Sequence, residues 1–277
     1  MKIRLQFLTV CATLLLAPSA QAQFNVPDPA PGEDFTVELG LMFWTPTPQI
    51  GLQTAGGGTL GPSEVDFVDV FGIEPRRFTE FRAVVKAGRR HKIRVSRVPI
   101  EYNESTVLAQ PVDFGDVTLP AGIQGTANVK WDLWRYGYEA DLVSGDRARF
   151  GWITEVRVNT LMADVGAEGF GGEAIDVTVP WPTMGFILRV YPHRNFSLTA
   201  EYTGLGILNF IVRKVADNIG EDFDGKTRDL DLYGTLNFGR HAGIQGGYRQ
   251  VRTEYTGSEE SGDLEVKRLY FGGLVRF

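Results

Sequence analysis

The chain has 277 residues, of which 12% are aromatic and 33 are glycine, and its formal net charge is −6. That length allows one or two domains, and a composition rich in aromatics and glycine, without a long amphipathic helix pattern, favours one large β structure. An acidic chain is a poor nucleic-acid binder, and a single cysteine, Cys11, excludes a disulfide framework.

Met1–Ala22 has the build of a secretory signal peptide. Lys2 and Arg4 supply the charged start, Phe7–Leu16 an apolar run of about ten residues, and Ala20-Gln21-Ala22 the small residues for cleavage. A mature chain starting at Gln23 has 26 cations against 34 acids, a charge of −8, and no thiol for metal or nucleophilic chemistry. No later apolar run approaches the ~18 residues of a spanning helix. Gln23–Glu33, with Pro27, Pro29 and Pro31, is expected as a short extended lead-in.

The chain then alternates with a period of two. In Asp34–Thr45, residues Phe35, Val37, Leu39, Leu41 and Phe43 share one face, the pattern of a strand. Thr45–Pro75 is too rich in glycine and proline for one strand. Within it Ser63–Gly72 is expected as a short helix capped by Ser63, with Val65, Val68 and Phe71 on one side. Further strands are expected at Arg76–Ala87, His91–Tyr102, Thr126–Val143, Ala148–Ala163, Ala174–Tyr191, Phe196–Leu205, Thr227–Phe238, Ala242–Tyr255 and Arg268–Phe277. Ten strands result, or eight if strand 1 or a neighbour is misassigned.

Tight turns at Gly88–Arg90, Ser144–Arg147, Pro192–Asn195 and Gly239–His241 alternate with longer segments at Glu104–Pro120, Asp164–Glu173, Gly206–Lys226 and Thr256–Gly262. Short turns at one rim and long loops at the other are the layout of transmembrane β-barrels, facing periplasm and exterior respectively. Three strands change the phase of their apolar residues, near Ser96–Arg97, Leu133–Trp134 and Pro182–Thr183. A β-bulge at each point would explain the slip. The aromatics sort into two levels: Phe43, Trp44, Phe78, Tyr102, Trp131 and Trp181 near the long loops, and Phe150, Trp152, Tyr191, Phe196, Phe238 and Phe277 near the short turns. Rings banded in this way are expected at the two lipid–water interfaces.

The last strand places Leu269, Phe271, Gly273, Val275 and Phe277 on one face, and Arg268, Tyr270, Gly272, Leu274 and Arg276 on the other. An apolar terminal strand is an aggregation hazard as a free edge in water; it is stable when it closes a barrel in lipid. Tyr270-Phe271-Gly272-Gly273-Leu274-Val275-Arg276-Phe277 resembles the C-terminal assembly signal of bacterial outer-membrane β-barrels, in particular at Tyr270, Gly272, Val275 and Phe277. Arg89–Tyr102 and Asp132–Leu142 resemble segments of uncharacterised outer-membrane barrels, with a looser similarity to the small OmpA, OmpX and OmpW-like group. The resemblance implies an all-β, antiparallel up-and-down transmembrane barrel at 34–277 in the bacterial outer membrane. It also implies contact with membrane lipid and lipopolysaccharide and handling by the barrel-assembly machinery. It transfers no activity.

On the expected inner faces lie Glu38, Glu80, Arg82, Arg94, Glu101, Lys130, Asp132, Arg135, Glu139, Glu155, Arg157, Arg189, Glu201, Asp231, Arg249 and Arg268. Interleaved signs suit a paired network that fills a narrow lumen, since a small barrel has room for little besides side chains. A polar conduit for a small solute is the alternative. The three histidines, His91, His193 and His241, all fall in short turns at the inner rim. His193 with Ser197 and Glu201 has the composition of a triad, but Ser197 and Glu201 are about 13 Å apart along a strand. Such a site would also face the wrong leaflet for a lipid-modifying enzyme. Gly56–Gly61 satisfies G-x-G-x-x-G without a strand–turn–helix frame, and Asp222-Phe223-Asp224-Gly225 lacks the spacing of an EF-hand loop. No pattern calls for a cofactor or metal, and none names a ligand for the outer loops. The expected function is that of a non-enzymatic envelope barrel, structural or surface-interacting.

Overall fold

The structure is a computed structural model that describes residues 30–54, 65–145, 147–204, 224–256 and 260–277. The signal peptide, residues 23–29 of the lead-in, Gly56–Gly61, Ser63 and most of the acidic stretch near Asp222 lie outside the described residues.

Alternation becomes strand almost throughout. The wall is built from β1 (Val37–Trp44), β4 (Phe78–Lys86), β5 (His91–Val107), β8 (Gln124–Ser144), β9 (Ala148–Ala167), β10 (Gly171–His193), β11 (Phe196–Gly204), β12 (Asp224–Phe238), β13 (Ala242–Thr256) and β14 (Glu260–Arg276). Each pairs antiparallel with the next, and β14 returns to pair with β1, closing a ten-stranded barrel. The eight-stranded alternative does not occur. β2 (Thr47–Thr54) continues the line of β1 along β14, from Trp44↔Tyr270 to Thr47↔Lys267, and pairs on its other edge with the two-residue β3 (Val65–Asp66). Closure satisfies the backbone groups of the terminal strand: the Phe277 amide donates to Val37 O at 2.9 Å, and the Thr36 amide donates to Phe277 O at 2.6 Å.

The barrel has two storeys. At one level the outer face is apolar, with Leu41, Phe81, Phe186, Leu232, Phe238, Ile244, Phe271 and Phe277 all exposed. A continuous apolar belt of this size is a liability in water and a requirement in lipid. Rings stack at its lower rim (Phe150 on Phe186, centroids 5.7 Å apart) and its upper rim (Phe43 near Phe271, 6.0 Å; Trp134 on Tyr136, 5.7 Å). Arg77 and Arg97 lie over Phe43 and Trp134 at 4.6 and 5.2 Å, placing cations at that upper rim.

Above the belt the polarity inverts. Val98, Ile100, Tyr102, Val129, Trp131, Leu133, Leu161, Val165, Ile175 and Val266 point inward and are buried. The outer face there carries ion pairs such as Arg97–Asp132 (2.8 Å), Lys130–Glu101 (3.4 Å) and Arg252–Asp263 (2.7 Å). About ten residues per tilted strand suffice to cross a bilayer, whereas β8, β9 and β10 have 21, 20 and 23. Roughly half of each long strand therefore stands in water and obeys the ordinary soluble rule.

This inversion corrects two sequence expectations. The bulges near Ser96–Arg97, Leu133–Trp134 and Pro182–Thr183 do not form: β5/β8 keeps one register from His91 to Val107, and β9/β10 keeps one through Pro182. The shifts fall instead at Asp141/Val143 and Val190/His193, beside the short turns. The pleat does not slip; the solvent outside changes from lipid to water. For the same reason Trp44, Phe78, Tyr102, Trp131 and Trp181, expected in an interfacial band, are interior residues, none more than 8% exposed.

The top of the upper storey is filled. A helix at Phe67–Phe71 puts Phe67 and Phe71 into the apolar core. Its cap is Asp66, not Ser63: the Asp66 carboxylate accepts the amides of Val68 and Asp69 at 2.9 and 3.2 Å. Within the expected loop Glu104–Pro120 sits a small hairpin, β6 (Val112–Phe114) and β7 (Val117–Leu119), whose Phe114 meets Phe67 edge-on at 5.5 Å.

Candidate functional site: a charge-filled lumen

At the level of the belt the inner wall is polar, and small residues let the wall carry large charged ones. Alternation sends Thr227, Asp229 and Asp231 of β12 inward and Leu230 and Leu232 toward lipid. The same parity brings in Glu80 and Arg82 from β4, Lys92 and Arg94 from β5, and Arg135 and Glu139 from β8. Glu155 and Arg157 come from β9, Glu201 from β11 and Arg249 from β13.

These side chains form one chain of ion pairs across the lumen. Arg82 donates to Glu80 (2.8 Å) and Asp231 (3.0 Å); Arg249 joins Glu80 (2.6 Å) to Asp229 (2.7 Å). Arg157 reaches Glu155 (2.6 Å) and Asp229 (3.3 Å), and its guanidinium also donates to Thr203 Oγ1. Arg135 is held by Glu155 (2.9 Å), Glu201 (2.8 Å) and Asp229 (3.3 Å), and Arg94 connects Glu201 (2.7 Å) to Glu139 (3.5 Å). Each of these arginines has at least two carboxylates. Burying a charge is costly unless it is paired and hydrogen-bonded, so a network is the arrangement that burial demands.

Most of the residues singled out from sequence meet here: Glu80, Arg82, Arg94, Arg135, Glu155, Arg157, Glu201 and Arg249. Glu38 forms a separate pair with Arg276 (2.5 Å), which also donates to Asn237 (2.7 Å). Lys130 and Asp132 do not belong. They lie above the belt, where inward positions are apolar, and they pair with Glu101 and Arg97 on the outer face. Arg268 is exposed and takes no part. Sequence reasoning missed Glu33, Lys92, Asp141, Arg149 and Asp229. Period-two parity with Arg94 and Asp231 was the available signal for Lys92 and Asp229; Glu33 lies outside any strand and had none.

The C-terminal motif divides between two environments. Val275 and Phe277 are exposed in the belt. Tyr270 points inward, donates to Asp231 at 2.8 Å and accepts from Gln245 at 2.8 Å, so it belongs to the lumen network. Gly272 gives Met42 its room: a Cβ there would lie 2.1 Å from Leu41 O and 2.5 Å from Met42 Sδ.

A cavity of about 70 Å³ lies in the lower lumen among Glu38, Arg94, Glu139, Arg189 and Tyr191, space for about two waters. Above the network, Trp44 covers Arg249 at 5.8 Å, and Trp181 directly opposes Arg157. The histidines stand apart. His193 is exposed and accepts the Asn195 amide at 3.2 Å, while Glu201 is committed to Arg94 and Arg135.

No family model and no curated protein matches the chain. Among solved structures it is similar to the outer membrane protease OmpT of Escherichia coli, with a TM-score of 0.52 and 8% identity over 92% of this chain and 99% of that one. The fold is that of an outer-membrane β-barrel. Weaker likenesses run to Ail, the attachment invasion locus protein of Yersinia pestis (TM-score 0.33, 8% identity, 87% and 97% covered), and to the toluene transporter TodX of Pseudomonas putida (0.36, 7%, 91% and 93%). At 8% identity the likeness to OmpT is one of fold alone.

Proposed function

We propose that this barrel is a non-enzymatic, non-conducting envelope protein that acts through its structure and its outer surface. One observation carries the reading: the lumen is crossed by a continuous chain of ion pairs and then roofed by an apolar core. An ion pathway needs a hydrated route with one sign of charge favoured, whereas here opposite charges neutralise one another at contact distance. The extracellular storey, with its polar outer face, is the surface offered to partners. Met1–Ala22 serves as the export signal, and Tyr270, Gly272, Val275 and Phe277 as the assembly signal. The belt and its upper rim of Arg77 and Arg97 contact lipid and lipopolysaccharide.

Reconstitution in planar bilayers tests this. The expected result is no stepwise current, together with unchanged lipid A mass in overexpressing cells. Discrete channel openings would promote the alternative of a narrow solute channel, and altered lipid A would promote an enzyme.

A further inference from the structure

The periplasmic mouth holds a second charge cluster built around a residue from outside the wall. Pro31–Glu33 forms a single 3-10 turn that carries Glu33 under the barrel, where its side chain is 1% exposed. Glu33 Oε1 accepts from Arg189 (2.5 Å) and from the Tyr191 hydroxyl (2.8 Å). Oε2 has Lys86, Arg149 and Lys92 at 3.4, 3.4 and 3.5 Å and yet receives no hydrogen bond. Four cations thus converge on one tethered carboxylate, and the tether leaves one of its oxygens poorly seated. Among the described residues, the wall sets only Glu139 and Asp141 against them. The lower-lumen cavity adjoins this cage and is lined jointly by Gly32 and Phe35 of the incoming segment and by Lys92, Arg189 and Tyr191 of the wall.

We propose that the periplasmic end of the lumen is a binding site for a small free carboxylate, which Glu33 fills in cis while its segment covers the opening. Without Glu33 the cage keeps four cations and two acids in a buried place, a charge imbalance that an external anion relieves. A free carboxylate can adopt the position from which both oxygens are hydrogen-bonded, which the tethered one does not reach. Lys86 and Arg189, 12% and 16% exposed, stand where it would enter.

The test uses full-length barrel in detergent, following thermal unfolding by heat-modifiable mobility in sodium acetate and in sodium chloride of equal ionic strength. Glu33→Ala should unfold several degrees below wild type in chloride, and acetate should restore much of that loss. Wild type should not distinguish the two salts, and neither should Glu33→Gln, whose amide still fills the space. Adding Arg189→Ala to Glu33→Ala should abolish the acetate response. A Glu33→Ala barrel that assembles only in acetate supports the site equally. An identical response to both salts, an acetate effect as large in wild type, or failure to assemble in either salt overturns it. These outcomes are independent of whether the intact barrel conducts.

Discussion

Arg157 and Trp181 face each other across β9 and β10 on the inner wall, each no more than 2% exposed, one ending in a guanidinium and the other in the largest ring system a side chain carries. The boundary between the two storeys passes between them. Below it the lumen is an ion-pair network inside a lipid-facing belt; above it the lumen is an apolar core inside a water-facing wall.

Replacing Arg157 by Ala strands Glu155 and Asp229, which it holds at 2.6 and 3.3 Å. Removing one partner of a buried pair costs roughly 3–5 kcal/mol, and re-pairing of Glu155 and Asp229 with Arg135 should hold the loss toward the lower end. The unfolding temperature should fall clearly while bilayer current stays at baseline. A stable Arg157→Ala barrel with altered single-channel current would mean an open aqueous lumen.

The roof depends on a glycine. A Cβ at Gly225 would lie 1.8 Å from the ring of Trp181, so Gly225→Ala should cost about 1–3 kcal/mol through overpacking. Trp181→Ala should cost about 3–5 kcal/mol through the cavity it leaves. The double variant should lose less than the sum, because the small residue removes the clash. Strict additivity in urea unfolding would count against this contact.

The position of the membrane can be read from arginine substitutions on the outer face. Leu232→Arg, in the belt, should destabilise by about 2–4 kcal/mol in lipid bilayers. Asn128→Arg, on the exposed outer face of the upper storey, should stay within about 0.5 kcal/mol. Equal penalties at both positions would place the upper storey in lipid as well.

Glu33 gives the barrel a pH signature. Burial works to raise its pKa, but Lys92, Arg189, Arg149 and Lys86 together hold the carboxyl well below the usual value of 4.5. A group depressed in the folded state stabilises fully above its unfolded pKa, and that contribution is lost as pH falls through the folded one. Glu33→Gln should therefore be less stable than wild type at neutral pH, with the gap closing only in acid well below pH 4.5. Glu139 and Asp141 face the same cations in both proteins, at 2.7 Å from Lys92 and 3.0 Å from Arg149. A gap that closed near pH 6 would contradict the cage.

The sequence by itself determined the wall strands to within the choice of ten or eight, the rim that carries the short turns, and the alternation that sends Glu80, Arg82, Glu155 and Arg157 inward; β14 pairing with β1 decided for ten. Period-two patterning is local, so a single chain suffices to read it. Which side of the wall is polar was not local. Trp131 and Arg135 occupy the same face of β8, and only the height of the strand in the barrel makes one part of an apolar core and the other part of an ion-pair network. The same height put Lys130 and Asp132 outside, removed the bulges that the change of phase suggested, and took five aromatics from the membrane interface into the interior. Tertiary structure alone decided the place of Glu33, because a carboxylate in a proline-rich segment acquires meaning only when Lys86, Lys92, Arg149 and Arg189, drawn from four strands, close around it.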